Sequence, residues 1–539
     1  MQRGVVQEPG RSRRLRRQPA QGAAGIKRSR PLERRVDVEG SERDAGRKVM
    51  REEKKRSATD DGKSERSSST GEAREPPRGT SSREGERRDT EPHEGKAPGH
   101  QGPTGVYTRL ARVAQLAREH PERVLTTLAH HIDIELLREA HGLVRKDGAA
   151  GVDGRTATEY AEALEENLAS LLERFKSGAY RAPPVRRVHI PKGSGSKTRP
   201  IGIPTFEDKV LQRAVLMVLE AVYEEDFKPC SFGFRRGRSA HQALETFWRS
   251  VMDMGGGVVL EVDIEGFFDS LTHSHLRSFL DQRVRDGVIR RTIDKWLKAG
   301  VLEGGRVMHP NEGSPQGGVV SPLLANVYLH HVLDTWFENE IKPRLTGRAF
   351  LVRYADDVAI VLESEGDARR VMSVLPKRFG KYGLRLHPEK TRAVQFRRPG
   401  PRGPDEKPGT FDLLGFTHYW AKSRKGAWVV KRKTASDRMR RALKKISTWC
   451  KEHRHCGVAE QHDGLCRRVR GHDAYYGITG NSSSLSTLRF WVRRIWHTWL
   501  NRRSQRGDMP WDRFNLLLKR YPLPPPVAVH STFRHVASP

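Results

Sequence analysis

The sequence predicts an α+β body followed by an all-helical C-terminal third, behind a basic N-terminal tail. Three observations predict it. Two apolar, β-branched runs, 258–262 and 351–362, read as strands, and each carries Asp at or beside its end. Apolar residues recur at helical spacing between and before them, as in Val210, Leu211, Ala214, Val215, Val218, Leu219 and Val222. Near the end, Leu488, Trp491, Val492, Ile495, Trp496, Trp499 and Leu500 trace a second helical stripe.

Taken in order, residues 1–103 contain no aromatic residue, the first being Tyr107. Dense in Arg, Glu, Ser, Gly and Pro, the segment cannot bury enough apolar surface to offset chain entropy and is expected to be disordered. It holds 26 Lys and Arg against 18 Asp and Glu in residues 1–100, so +25 of the net +33 falls on the rest of the chain. A surplus this large points to a polyanionic partner such as nucleic acid. Helices are expected over about 272–300 and 321–341, and a Pro- and Gly-rich loop over 399–409. The 488–500 helix is expected to bury its aromatic stripe and to offer Arg489, Arg493, Arg494, Arg502 and Arg503 on its other side to phosphate backbone. Four Cys argue for a reducing compartment. No run of about 18 apolar residues and no secretory signal is visible, so the expectation is a bacterial cytoplasmic protein with no membrane span.

The chemistry centres on acidic residues. Tyr354-Ala355-Asp356-Asp357 reads as a turn between strands, and Asp263 closes the run Val258–Val262. Asp263 and Asp356 lie 93 positions apart, so any pairing is tertiary. Two strand ends carrying Asp in one sheet make an all-oxygen site that suits Mg²⁺. Two such ions can activate an attacking hydroxyl and neutralise a leaving pyrophosphate. The bland alternative is an exposed Asp-Asp hairpin turn.

Ordered landmarks carry a resemblance. They are Arg186–Lys192 through Thr198–Pro204, Phe232–His241, Asp263–Asp269, Gly313-Ser314-Pro315-Gln316-Gly317 through Leu323, the Tyr-Ala-Asp-Asp turn, Gly383–Thr391, and Leu413-Leu414-Gly415-Phe416. Together these resemble the reverse transcriptase–maturases encoded by group II introns, over roughly residues 107–530. The resemblance implies a right-hand polymerase: fingers and palm over 104–400, then primer grip, α-helical thumb and maturase region over 401–520. Residues 521–539 are expected to be a short extension without the His-Asn-His endonuclease of many relatives, so that a DNA primer would be made elsewhere.

For individual residues, Asp263 and Asp356 are expected as the main metal ligands, with Asp357 and the Ile264 carbonyl beside them. By resemblance, Phe268 packs under the nucleotide sugar and Gln316 supports the template–nucleotide pair. Arg186, Lys192 and Arg199 on a fingers-like hairpin suit a triphosphate, the alternative being a solvated basic loop. Lys390 is placed to protonate pyrophosphate, or is a surface lysine. Arg470 opens a stretch, 470–481, that resembles the maturase signature, with His472 where an aromatic is usual. Cys450, His453, His455, Cys456, His462, Cys466 and His472 match no zinc knuckle or finger spacing.

The resemblance thus implies an RNA-directed DNA polymerase that binds intron RNA, assists its splicing and copies it from a DNA primer with deoxynucleoside triphosphates and two Mg²⁺ ions. The oligomeric state stays open, a dimer included. Alternatives are a splicing maturase with a vestigial polymerase site, or a relative in phage defence or CRISPR adaptation. The intact Asp263, Asp356 and Asp357 argue against the first, the 470–481 stretch against the second.

Overall fold

The chain places two cores on the opposite faces of one sheet, and strand alternation decides which residue joins which. The computed structural model describes residues 105–530 apart from 192–197, 309–312, 314–316, 401–407 and 505–506. The tail expected over 1–103 and most of the loop expected over 399–409 therefore lie outside the described residues.

Four helices come first: α1 Gly105–Glu119, α2 Ile134–Leu143, α3 Ala157–Ala161 and α4 Leu164–Ser177. The antiparallel hairpin β1 Val185–Pro191 and β2 Thr198–Ile203 follows, then α5 Phe206–Asp226. Thr205 caps α5 by accepting from the Asp208 N–H, and the helix buries the stripe read from the sequence, Val210 through Val222. Helix α6, Ala240–Met254, starts with a Ser239–Gln242 capping box. Next come β3 Gly256–Val262 and β4 Ile264–Glu265.

The helical span expected over 272–300 is two helices, α7 His273–Asp281 and α8 Gly287–Lys298. Asp286 causes the break. Its carboxylate caps α8 through the Val288 and Ile289 N–H groups and also accepts from Leu128 and Ala129. After β5 Val301–Glu303 and β6 Arg306–Met308, α9 Ser321–Leu329 runs on through π-helical turns His330–Asp334 and Phe337–Ile341. Then come β7 Ala349–Tyr354, β8 Asp357–Leu362, α10 Glu365–Lys381, β9 Arg385–Leu386 and β10 Arg392–Arg397. The strands β11 Phe411–Leu413, β12 Phe416–Lys422 and β13 Trp428–Thr434 lead into α11 Ser436–Glu452, α12 Val458–Tyr476, α13 Ser482–Asn501 and α14 Trp511–Arg520. Mixed α/β and then helical, this is the coarse architecture expected.

The described strands form four sheets. Their orders are β2-β1-β5-β6, β10-β3-β8-β7, β11-β12-β13 and the short pair β4-β9. The central sheet β10-β3-β8-β7 is antiparallel throughout. On β3 and β8, Val258, Leu260, Val262, Val358, Ile360 and Leu362 face the larger core, with α5, α9 and α10. Val259, Ala359 and Val361 face a second core with α6 and with Phe411, Phe416 and Trp420 of the three-stranded sheet. Period-two alternation therefore sends Glu261, Asp263 and Asp357 to the second face. A third core, around Leu465, Leu488, Val492 and Trp496, holds the C-terminal helices together. Among the described residues, no helix is long and apolar enough to cross a membrane.

Candidate active site

Tyr354 pairs with Asp357 across the β7–β8 hairpin, which leaves Ala355 and Asp356 as a two-residue turn. Ala355 has φ 56°, in the left-handed region that alanine avoids, so neighbouring structure must enforce it. Val262 pairs with Val358 across β3 and β8, so the next positions along that ladder are Asp263 and Asp357.

The enforcement comes from Arg353, one residue before the turn's first strand ends and wholly buried. Its Nε donates to Asp334 Oδ1 at 2.8 Å, and its Nη2 donates to Asp334 Oδ2 at 2.6 Å and Ser231 Oγ at 2.7 Å. Its Nη1 donates to Asn326 Oδ1 at 2.9 Å and to the Ala355 carbonyl at 3.1 Å. All five guanidinium N–H groups are used. Asn326 in turn donates to the Gly233 carbonyl at 2.8 Å, and Gly233 presses on the turn so closely that a Cβ there would lie 2.3 Å from the Ala355 nitrogen. Sequence reasoning missed this residue. The signal was a lone charge inside an apolar strand, which must find a buried partner.

A cleft of about 340 Å³ opens beside the turn, lined by Asp263, Asp357, Glu389, Lys390, Arg392 and Leu414 among others. Glu261 and Arg392 pair on its wall. Lys390 donates to Asp263 Oδ2 at 2.5 Å, while the Asp263 carbonyl accepts from the His387 N–H at 2.8 Å and the Thr391 hydroxyl at 3.3 Å. Asp357 touches solvent but is ringed by protein atoms. That desolvation, then the charges of Asp356 and Asp263, push its carboxyl up to about 6, with Arg438 and Lys390 pulling the other way. Arg438, on α11, is a second residue that sequence reasoning missed.

Among the described residues, no three His, Cys, Asp or Glu side chains close into a ready-made ion site. Even so, the donor set fits a hard divalent cation. It is all oxygen, and desolvation by the surrounding protein atoms with mutual repulsion pushes the exposed Asp357 carboxyl up to about 6. Lys390, the ammonium that pairs with Asp263, is more than half exposed.

The other expected residues are distributed as follows. Ile264 pairs with Leu386 on β4–β9, its side chain buried. Phe268 follows in a 3₁₀ turn, half-buried, with its ring 5.4 Å from that of Phe267. Arg186 sits at the base of the β1–β2 hairpin and donates twice to the Ala150 carbonyl, at 2.7 and 3.1 Å. Arg199 is exposed opposite Ile190. Lys192 and Gln316 lie outside the described residues. Arg470, Arg493, Arg494 and Arg502 are exposed on the C-terminal helices.

Three expectations for that region need correction. Arg489 is buried, bonded to both carboxylate oxygens of Asp473 and to the Pro524 and Pro525 carbonyls, because its spacing from Leu485 and Val492 puts it on the inner side of α13. Arg503 is half-buried and tied to the Arg454 and Cys456 carbonyls. Trp491 stays exposed beside Phe490, and Arg494 lies 5.6–6.0 Å from the rings of Phe490, Trp491 and Trp511.

Replacing Arg353 alone by Met should cost about 3–5 kcal/mol, because Asp334 is left buried and unpaired. Arg353→Met/Asp334→Leu should recover most of that in urea denaturation. In chelated buffer, the folded pKa of Asp357 lies above its unfolded value, so ionising it destabilises the fold. The stability advantage of Asp357→Asn over wild type should therefore grow from about pH 4 to about pH 6 and level off above. Denaturant midpoints across that range check this, and a flat difference would contradict it.

Residues 190–418 match the family described as Reverse transcriptase (RNA-dependent DNA polymerase). The group II intron-encoded protein LtrA of Lactococcus lactis subsp. cremoris is 37% identical over 249 residues, covering 44% of this chain and 40% of LtrA. Protein YkfC of Escherichia coli is 35% identical over 277 residues, covering 45% of this chain and 71% of YkfC. Nuclear intron maturase 2, mitochondrial, of Arabidopsis thaliana is 28% identical over 292 residues, covering 46% of this chain and 38% of that protein. The match thus spans well under half the length of LtrA. With the acidic turn, the order of its landmarks and these relatives together, the chain belongs to the group II intron-encoded reverse transcriptase–maturase family.

Proposed function

We propose that the protein is an RNA-directed DNA polymerase that also binds its intron RNA and assists its splicing, copying that RNA into DNA from a DNA 3′ end. The observation that carries this reading is the convergence of Asp263 and Asp357 from adjacent strands onto one cleft, beside a turn that holds Asp356. In this reading β1–β2 and the helices before it are fingers, the central sheet is palm, β11–β12 is the primer grip, and α11–α14 are thumb and maturase region.

Asp263, Asp356 and Asp357, with the Ile264 carbonyl, would hold two Mg²⁺ ions. When bound, these supply activation of the primer hydroxyl and neutralisation of the leaving pyrophosphate. The chain's own residues do the rest. Phe268 packs against the incoming sugar. Arg199 and Lys192 hold the triphosphate, with Arg186 bracing the base of their hairpin. Gln316 supports the template–nucleotide pair. Lys390, whose ammonium rests on Asp263, would hand a proton to pyrophosphate. Arg470, Arg493, Arg494 and Arg502 take phosphates of the intron RNA.

Primer extension on an RNA template tests the reading. Wild type should make DNA, and Asp356→Ala/Asp357→Ala should lose synthesis by roughly 10²–10³-fold or more while keeping splicing assistance. A wild type that makes no DNA would leave only the RNA-binding role. Arg493→Ala/Arg494→Ala/Arg502→Ala should weaken RNA binding and flatten its salt dependence, by about 0.7–0.9 in log–log slope for each phosphate no longer neutralised. Arg489→Ala should instead lower folding stability, since it strands Asp473.

A further inference from the structure

The stretch 470–481 resembles a segment that holds RNA, yet in this fold its later residues are turned inward. The Tyr475 hydroxyl donates to the Leu414 carbonyl at 2.8 Å. Leu414 and Gly415 are the two-residue turn between β11 and β12, both at positive φ (50° and 81°), and Leu414 lines the same cleft as Asp263 and Asp357. The Tyr475 ring stacks on Phe416 at 5.8 Å, and burial, then Tyr476 and Tyr354 and, least, Asp357 raise the hydroxyl's pKa against Arg438. Its neighbours anchor it on three sides. His241 of α6 bonds the Tyr475 carbonyl at 2.8 Å, and His530 bonds the Ala474 carbonyl at 2.7 Å. Asn481 accepts from the Thr434 N–H at the end of β13 at 2.9 Å and donates to the Tyr476 carbonyl at 2.8 Å.

A leucine at positive φ strains a two-residue hairpin turn even with glycine after it, and a bond to the turn's carbonyl from outside the hairpin offsets part of that cost and fixes its orientation. We propose that Tyr475 is a positioning residue for the primer terminus: its hydroxyl sets the Leu414 turn, and through the 473–481 joint the placement of the C-terminal helices sets where that turn stands over the cleft. The inference rests on the polymerase reading above. It departs from the view that these residues contact RNA.

Tyr475→Phe removes one oxygen and leaves the ring on Phe416. The variant should raise the KM for a DNA primer annealed to an RNA template about fivefold, the worth of one neutral hydrogen bond, with kcat and affinity for the same RNA without primer unchanged. Fluorescence anisotropy should show the matching loss of affinity for primer–template and none for RNA alone. A fall in affinity for RNA alone would overturn the proposal in favour of an RNA contact. A lowered thermal midpoint with primer KM and affinity unchanged would reduce Tyr475 to an element of the fold, and identical behaviour throughout would also overturn it. A wild type that extends no primer would sink the polymerase reading by itself, and the anisotropy comparison would still decide the role of Tyr475.

Discussion

The buried ion pair between Arg353 and Asp334 is the interaction on which the cleft depends. A guanidinium taken fully out of water is costly, and only a bidentate carboxylate plus saturation of its remaining donors makes it tolerable. Here the arrangement does two things at once. The donors left over after Asp334 reach Ser231, Asn326 and the Ala355 carbonyl, so the charge that must be satisfied also clamps the turn. And because Asp334 already cancels the guanidinium, Arg353 contributes little positive potential to the carboxylates of the turn. Asp357 is held at about 6 even with Arg438 and Lys390 nearby. A cleft neutralised from within would have no use for an added cation; this one is kept negative.

What the sequence made legible follows the range of the interactions. Strand alternation is local, so the acidic residues at 263, 356 and 357 could be read as strand-end groups, and the apolar stripe of α5 as core. Partners remote along the chain were not readable. Asp334 sits in a π-helical turn 19 residues before Arg353, and no periodicity links the two. Arg489 was misread for a related reason. A helical Arg beside an aromatic stripe usually faces solvent, and only the presence of Asp473, 16 residues earlier on α12, makes its burial tolerable. The number of sheets was also beyond reach, since it depends on which edges β5 and β9 find, and those pairings are settled by tertiary contacts.

The second core and the core of the C-terminal helices are joined by the chain at and just beyond the end of α12. Ile478 belongs to the core under β11–β13, while Leu465 and Val469, a few turns earlier on α12, belong to the core of the C-terminal helices. Between them the chain adds side-chain-to-backbone bonds from His241, Tyr475 and Asn481 to the packing of Tyr475 and Tyr476 on Phe416. Apolar packing is non-directional and tolerates sliding, whereas a hydroxyl on one carbonyl fixes an orientation. A joint built this way can transmit where a helix stands to a turn two strands away.

Charge is divided between the cleft and the body around it. The chain carries +33, yet the cleft wall gathers Glu261, Asp263, Asp357, Glu389 and Asp412 against Lys390 and Arg392. Glu261 and Arg392 cancel, and Lys390 answers Asp263, which leaves the remainder negative inside a strongly positive body. The two signs act at different ranges. On the polymerase reading proposed above, exposed Arg on the C-terminal helices would draw in a polyanion, by attraction reaching about 10 Å at moderate salt and by counterion release on contact. Close to the cleft the same polyanion meets carboxylates and is repelled unless a multivalent cation comes between them. On that reading binding and reaction would be separated electrostatically: nucleic acid would be held without a cation at the cleft, but its end would settle against Asp263 and Asp357 only once one is there.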